Sequence, residues 1–479
     1  MHVLRYPGYG RGSFAPRRGR GGSQHGFTKR NEVTLDLVKH PLGELLTSFS
    51  NSDLQPKLST LTDAASIKDC QYVASYNWVD ADTPTIMVPG KPPLWSPLQQ
   101  PRRLEEDSGL YFRDPNAARY PSYPTEPAVL ALLEINPVFP TGEVDVFGCG
   151  STMGNLLRFV RSVDKSFRFN VEAIGNTVFF VRKENDPRET IDGIRGYGHT
   201  FPEAYTTWET EVKRSESHQR LVQYDFGGFK CVVRFECDGY LPEKSNDKKG
   251  DSTKKGAQTG LDDLLEAFNN TAIKKGTPKL DGPLTVQSGG SPPPHHTIFD
   301  LKTRSGRFKK DIDMTDIYPA LWLKQFPNFV VAYHDGAGTF HDIRVQDVKK
   351  DVQDWEKGND AAIQRLAILI KKIVELARQD GKGLLEVYSP GVNRLEVRRQ
   401  HGEGSHALPL ELRVRWENGG DGGGPIVAIG DLSGSEGEYE DFSLADPHDS
   451  FSYDDSDDEI QDFTACSADS CGYCGKCTY

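Results

Sequence analysis

The sequence predicts an α/β or α+β protein with a mixed central sheet, flanking helices and disordered tails. Two observations predict this class: a series of short strand-like runs joined by tight turns, and one long amphipathic helix that follows them. Strands combined with helices in this way are typical of a sheet covered by helices. A length of 479 residues allows one large domain or two to three smaller ones.

The strands are predicted from β-rich runs with turn residues between them. Phe167–Ile174 and Thr177–Glu184 are separated by Gly175-Asn176, a pair typical of two-residue hairpin turns. A second hairpin and further strands are predicted at Leu221–Phe226, Phe229–Leu241, Thr297–Thr303, Asn328–His334 and Thr339–Val345, with short runs around Leu384, Leu395 and Leu410.

The clearest helix is predicted over Asp360–Gln379. Apolar residues recur there at helical spacing, Asn359 or Asp360 can cap its start, and Gly381 can end it. By contrast, residues 32–130 are rich in proline and turn residues, and we expect irregular structure with short strands.

Composition divides the chain into six segments. These are a basic Arg/Gly arm (1–31), a wrap with the first part of the core (32–241), a flexible insertion (242–296), the second part of the core (297–416), a Gly-rich and then acidic tail (417–465) and a Cys-rich end (466–479). The insertion has linker composition, so we expect the strands on either side of it to be neighbours in one sheet.

Charge is concentrated at the two ends. Residues 431–462 carry 13 acidic residues and no Lys or Arg, so the rest of a chain of net charge −12 sums to +1. The first 31 residues are basic, contain no acid and interleave Arg with Tyr6, Tyr9 and Phe14. This arm resembles RGG-type segments, which bind nucleic acid through phosphate contacts and stacking; an arm without a fixed partner is the alternative.

No apolar run is long enough to cross a bilayer, and no secretory signal opens the chain, so we expect no membrane segment. Four scattered cysteines (Cys70, Cys149, Cys231 and Cys237) fit reduced thiols in the cytoplasm or nucleus. A mitochondrial transit peptide fits the basic arm less well, because its Gly and Pro oppose an amphipathic helix.

The candidate site comes from two short motifs in apolar surroundings. Glu236 and Asp238 are one residue apart, as are Asp300 and Lys302, and residues at this spacing share one face of a strand. Burying these groups without a function would be costly. Asp238 and Asp300 could hold Mg²⁺ or Mn²⁺ with Glu236 assisting, and Lys302 could stabilise charge at a phosphate. An exposed polar strand face with an incidental ion pair is the alternative.

These motifs resemble the PD-(D/E)xK nuclease core and, more closely, the DXO-type decapping exoribonucleases, over about residues 145–345. The resemblance extends to Leu321–Gln325, which implies that Gln325 contacts RNA. It also extends to Gly196–Glu203, the segment that carries a metal-binding Glu, and to Phe147–Leu157, the segment that carries a phosphate-binding Arg. It implies a metal-dependent RNA 5′-end hydrolase with RNA as its partner.

The sequence departs from this family at three positions. Pro202 occupies the metal-binding Glu position, with Glu203 one residue later. Gly150 occupies the Arg position, although Arg158 and Arg161 lie nearby, and Asp300 replaces the preferred Glu. Loss of a metal-binding carboxylate weakens such a site, so a non-catalytic RNA-binding relative is the second hypothesis.

The chain also resembles a group of uncharacterised fungal proteins, through Ser75-Tyr76-Asn77-Trp78 and Gly198-His199, and some of these carry the label geranylgeranyl pyrophosphate synthetase. Asp454-Asp455-x-x-Asp458 satisfies a prenyl synthase motif. It lies in a Ser-rich acidic tail without apolar periodicity, which favours a solvated tail.

Four cysteines close the sequence within 12 residues: Cys466, Cys471, Cys474 and Cys477. Four thiolates at such spacing could bind one tetrahedral Zn²⁺. Free redox-labile thiols and, with poorer spacing, an iron–sulfur cluster are the alternatives.

Overall fold

The computed structural model describes residues 35–419, apart from residues 57–64, 110, 192–193, 195, 244–281, 307–310 and 381–382. The basic arm, most of the insertion, the acidic tail with Asp454–Asp458 and the four C-terminal cysteines lie outside the described residues. The predictions for these segments therefore stay predictions.

Helices of different lengths cover the sheets of the described chain. They are α1 (Pro115–Arg119), α2 (Glu126–Ile135), α3 (Gly150–Val160), α4 (Thr200–Tyr205), α5 (Met314–Lys324), α6 (Lys349–Gly358), α7 (Asp360–Gln379) and α8 (Leu410–Glu417). In the part of the chain that the structure describes, no helix is long and apolar enough to span a membrane.

A mixed sheet of 11 strands forms the centre of the molecule. Strands are numbered along the chain, and their spatial order is β1 (Leu45–Phe49), β19 (Arg394–Arg399), β18 (Leu384–Gly391), β7 (Phe167–Ile174), β8 (Thr177–Arg182), β6 (Val146–Cys149), β12 (Phe229–Glu236), β11 (Ser215–Phe226), β2 (Lys68–Val79), β3 (Thr85–Pro89) and β14 (Thr285–Gly289). Most neighbours are antiparallel, but β6 runs parallel to both β8 and β12, and the edge strand β14 runs parallel to β3.

A second sheet of six strands packs against the first. Its order is β10 (Thr206–Thr207), β4 (Leu94–Trp95), β13 (Gly239–Tyr240), β15 (Ile298–Ser305), β16 (Asn328–His334) and β17 (Phe340–Asp347). The short strands β5 (Tyr111–Phe112) and β9 (Thr190–Ile191) pair separately.

Three apolar clusters lie on the faces of these sheets. The inner core lies between the two sheets and helices α3, α5 and α7, and includes Phe235, Trp322 and Val331. The second cluster packs α2 and α8 on the other face of the large sheet, and the third packs α4 on the outer face of the small sheet. This layering confirms the predicted α/β class with a mixed central sheet.

Many predicted elements are confirmed, some of them with the same bounds. The strands Phe167–Ile174 and Asn328–His334 and the helix Asp360–Gln379 begin and end where expected. Both predicted hairpins form, with Ile174 paired to Thr177 and Phe226 paired to Phe229 across their turns.

Three expectations are wrong. The run around Leu410 is helix α8, because Leu412 and Trp416, four residues apart, pack together on the large sheet. Residues 32–130 contain the 12-residue strand β2 and the first half of helix α2, whose apolar residues are buried in the second cluster. The two acidic motifs do not lie in adjacent strands of one sheet, since β12 belongs to the large sheet and β15 to the small one.

Candidate functional site

Asp238 lies where the chain passes from one sheet to the other. Strand β12 ends at Glu236, and two residues later β13 begins in the small sheet, where Gly239 pairs with Phe299 of β15. This pairing brings Asp238 to β15, where its Oδ2 accepts a hydrogen bond of 2.6 Å from the backbone N–H of Leu301. The two acidic motifs therefore meet, as expected, but across two sheets.

Asp300 and Lys302 face the inner core from β15. The alternation of the strand sends Phe299 and Leu301 into the outer cluster and leaves Asp300 and Lys302 on the opposite face. Both side chains are almost fully buried, and Lys302 Nζ lies 3.2 Å from Asp300 Oδ2. The same ammonium donates a hydrogen bond of 2.9 Å to the Leu301 carbonyl.

Lys324, which the sequence reasoning did not select, brings a second ammonium to this cluster. It is the last residue of helix α5, is only 3% exposed, and places Nζ 3.9 Å from Asp300 Oδ1. Helix α5 buries Leu321, Trp322 and Leu323 in the inner core, which fixes the position of its C-terminal turn. The signal in the sequence was a lysine immediately before the selected Gln325.

The environment of Asp238 shifts its protonation. Burial, and next the negative charge of Asp300, raises the pKa of Asp238, to about 6 in all. Lys302, the Leu301 N–H and Lys324 oppose this shift. Asp238 therefore loses its proton at a higher pH than an ordinary aspartate.

Glu236 and Lys324 line a pocket at the carboxyl ends of parallel strands. The pocket is an open cleft with about 280 Å³ of free space, adjoining solvent included, and helix α3 begins at its wall. Its remaining lining residues are Cys149, Gly150, Ser151, Arg182, Gln219, Arg234 and Phe235. A neighbouring pocket of about 320 Å³ shares Cys149, Arg182 and Arg234.

This pocket favours anions. The start of an α-helix carries a partial positive charge and backbone N–H groups without helical partners. Arg182, Arg234 and Lys324 add three cationic side chains against the single carboxylate of Glu236. A helix start at the carboxyl edge of parallel strands is a common site for phosphate groups.

Gln325 caps helix α5. Its φ of 54° is left-handed, and its side-chain amide donates a hydrogen bond of 2.5 Å to the Trp322 carbonyl in the last turn of the helix. The Gln325 carbonyl lies 2.8 Å from His295 Nε2. The RNA contact implied for Gln325 stays a prediction, and in this structure the amide is engaged with its own helix.

Glu203 lies in a different environment from Asp238 and Asp300. Helix α4 packs Phe201 and Tyr205 in the outer cluster, on the face of β15 opposite Asp300. The Glu203 side chain is exposed, and desolvation of its carboxyl, followed by the charge of Asp107, raises its pKa to about 7. The structure therefore brings together Glu236, Asp238, Asp300 and Lys302, with Glu203 beside Asp107.

The acidic side chains of the site do not match the ligands of a divalent cation. Within the described residues, no group of three or more His, Cys, Asp or Glu side chains could hold a metal ion. Mg²⁺ requires near-octahedral oxygen ligands and favours a net negative site. Here the charges of Asp238 and Asp300 are matched by those of Lys302 and Lys324, so the described residues do not fit such an ion.

The chain is similar to several solved structures. Rai1 of Scheffersomyces stipitis in complex with (3′-NADP)⁺ and calcium is 12% identical, with a TM-score of 0.48 over 79% of this chain and 99% of that one. Rai1 of Candida albicans in complex with pU5-Mn²⁺ is 9% identical, with a TM-score of 0.45 over 79% and 97%. Dxo1 of K. lactis in complex with manganese is 9% identical, with a TM-score of 0.42 over 76% and 99%.

The chemistry of the site rests on its own residues, since these structures share about a tenth of their residues with this chain. No curated protein sequence is significantly similar. A domain of unknown function, DUF8563, matches residues 51–408, which include the small sheet, all of the large sheet except β1, and the pocket. The chain therefore belongs to the DUF8563 family.

Proposed function

We propose that this protein binds the phosphorylated 5′ end of RNA in the pocket at the start of helix α3, without metal-dependent hydrolysis. The observation that supports it most is Lys324, which lines the pocket and lies 3.9 Å from Asp300. One ammonium group thus faces the phosphate site and balances the nearby carboxylate.

The geometry suits a phosphate with an attached nucleoside. Gly150 and Ser151 present the first N–H groups of helix α3, and Arg182 and Arg234 flank them. The neighbouring pocket adds Pro124, Ala128 and Phe180, apolar residues against which a base could pack.

The choice of RNA rests on the motifs of the sequence. Glu236-x-Asp238, Asp300-x-Lys302 and the Gln325 helix resemble the DXO-type nucleases, and the Arg/Gly arm is typical of RNA-binding segments. RNA is therefore the ligand class proposed for a pocket whose chemistry selects phosphate.

The charge balance favours binding over hydrolysis. A catalytic Mg²⁺ or Mn²⁺ would have to bind beside Asp300, where Lys302 and Lys324 already supply two positive charges. A third cationic group there would be repelled at short range in a buried site. The third acidic ligand expected at Glu203 lies on another face of the small sheet.

Hydrolysis of RNA 5′ ends is the second candidate. The specific observation in its favour is the convergence of Asp238, Asp300 and Lys302 next to the pocket that contains Glu236. In this alternative, Lys324 would move away from Asp300 when a divalent cation binds.

Binding and degradation measured together separate the two candidates. Short RNAs of one sequence, with 5′-triphosphate, 5′-monophosphate or 5′-hydroxyl ends, are titrated by fluorescence anisotropy and then incubated with Mg²⁺ or Mn²⁺. We expect salt-sensitive binding that requires a 5′ phosphate, and intact RNA afterwards. Equal binding of the 5′-hydroxyl RNA would contradict the proposed ligand.

Variants assign the result to the site. Lys324→Met should weaken binding of the 5′-monophosphate RNA by about tenfold, the effect of one charge-assisted hydrogen bond. Lys357→Met, at a solvent-exposed lysine of α6, is the matched control and should bind normally. RNA shortening that depends on Mn²⁺ and is abolished in Asp238→Asn and Asp300→Asn would establish the hydrolase instead.

A further inference from the structure

Arg220 is a buried arginine without a carboxylate partner in the described chain. It lies in the middle of β11 and is 1% exposed. Its Nη2 donates a hydrogen bond of 3.3 Å to the carbonyl of Pro293. Its Nε and Nη1 have no hydrogen-bond partner among the described residues.

The groups around Arg220 do not supply a negative charge at neutral pH. Its guanidinium lies 4.5 Å from the ring centre of Tyr72, and the nearby thiols are those of Cys70 and Cys237. Burial raises the pKa of Cys70 to about 11 and that of Cys237 to about 12, so both thiols are protonated. Burial also raises the pKa of the Tyr72 phenol.

Another buried arginine shows the usual arrangement. Arg168, in β7, is 3% exposed and forms an ion pair with Glu386 of β18. Buried charges are normally paired in this way, because an unpaired one is strongly destabilising. Among the described residues, no anion balances the positive charge of Arg220.

Two histidines beside Arg220 also have one ring nitrogen without a partner. His218 Nδ1 forms a hydrogen bond of 2.6 Å with the side-chain oxygen of Asn77, and His295 Nε2 forms one of 2.8 Å with the Gln325 carbonyl. His218 Nε2 and His295 Nδ1 have no hydrogen-bond partner within the described chain. His218 lies two residues before Arg220 on the same face of β11, and His295 lies two residues after Pro293, whose carbonyl accepts a hydrogen bond from Arg220. Burial, and next the charge of Arg220, lowers the pKa of both histidines.

This cluster is separate from the phosphate pocket. Arg220 pairs across the ladder with Phe235, whereas its neighbour Gln219 pairs with Glu236. Successive residues of a strand face opposite sides, so Arg220 and the Gln219–Glu236 pair lie on opposite faces of the β11–β12 pair. Gln219 and Glu236 line the pocket and Arg220 does not.

The geometry points to a second anion site, in which Arg220, His218 and His295 bind a small oxyanion of the phosphate class. The guanidinium offers two N–H donors, and each imidazole can accept a hydrogen bond from a protonated phosphate oxygen. Cys70, Tyr72 and His295 beside Arg220 are partly exposed, so we infer that the anion would enter on their side.

Thermal unfolding of the full chain tests this site. Melting temperatures are measured with rising inorganic phosphate, against chloride at equal ionic strength, and Kd is measured by titration calorimetry. Because a ligand that binds only the folded state raises stability, wild type should melt higher in phosphate. AMP in a parallel series distinguishes a phosphate monoester from free phosphate as the preferred form.

Variants in one background separate this site from the pocket. Lys324→Met weakens phosphate binding in the pocket, and we expect the part of the phosphate effect that remains to come from the Arg220 site. Adding Arg220→Met to Lys324→Met should remove that remainder, and adding Arg220→Lys should weaken it by about tenfold, since lysine cannot form the forked contact. If Arg220→Met does not fold, His295→Phe serves instead, and we expect weaker phosphate binding there too. An unchanged phosphate effect in the Arg220 and His295 variants, or none in wild type, would overturn the proposal.

Discussion

At the scale of single residues, the negative charges of Asp238 and Asp300 are stabilised by different groups. Asp300 lies between the ammonium groups of Lys302 and Lys324, whereas Asp238 accepts a backbone N–H from Leu301. Strand periodicity and motif spacing predicted that Asp238, Asp300 and Lys302 would meet. The approach of Lys324 depends on how helix α5 docks in the inner core, which no local pattern encodes.

Asp238 should make stability depend on pH. Its pKa in the folded protein is about 6, above the ordinary value of 3.8, so the unfolded state loses this proton first as pH rises. As pH rises from about 4 to about 6, Asp238 therefore makes the free energy of unfolding fall by roughly 2–3 kcal/mol in total. Above about pH 6 this loss stays constant. Below pH 4 its effect is absent.

Urea unfolding at several pH values measures this effect. Asp238→Asn should be more stable than wild type at pH 7 and similar to it at pH 4, because Asn can still accept the Leu301 N–H without a charge. Asp82→Asn, at an exposed turn, is the control. A stability difference between Asp238→Asn and wild type that does not change with pH would be inconsistent with this assignment.

At the scale of secondary-structure elements, hairpins and long periodic segments were predictable and context-dependent segments were not. The turn residues Gly175-Asn176 and Gly227-Gly228 correctly predicted two hairpins. Helix α8 was mistaken for a strand because its eight residues are too few for the helical period to stand out. Strand β2 was missed because Pro and turn residues dominate the surrounding composition.

The end of helix α5 gives a prediction at this scale. Gln325 adopts φ 54°, a conformation that glycine tolerates and alanine does not. Gln325→Ala should destabilise the protein by about 1 kcal/mol relative to Gln325→Gly, measured by urea unfolding.

The same two variants test the role of Gln325 in the site. If Gln325 only caps the helix, Gln325→Gly binds 5′-phosphorylated RNA as wild type does. Loss of that binding in a well-folded Gln325→Gly protein would show that the amide contacts RNA, as the family resemblance implies.

At the scale of the whole molecule, the C-terminal helix closes one face of the large sheet. Trp416 of α8 is 1% exposed and packs its ring edge-on against Phe147 at 5.8 Å and Phe179 at 5.3 Å. Its indole N–H donates a hydrogen bond of 2.9 Å to Thr177. Trp416 thus contacts Thr177, a residue 239 positions earlier in the chain, and no pattern in the sequence indicated this contact.

Trp416→Ala should cost about 3–5 kcal/mol, because it removes a buried indole and leaves a cavity beside Phe147 and Phe179. Val414→Ala, on the exposed side of the same helix, is the matched control and should change the free energy of unfolding little. Urea unfolding of both variants tests this, and equal stabilities would show that α8 does not contribute to the core.

Lys324 places beside Asp300 the positive charge that a divalent cation would supply. Titration calorimetry of Mn²⁺ into wild type and into Lys324→Met measures this directly. We expect no saturable Mn²⁺ binding to wild type, and binding to Lys324→Met that Asp300→Asn abolishes. Saturable binding of Mn²⁺ to wild type that is lost in Asp300→Asn would contradict it.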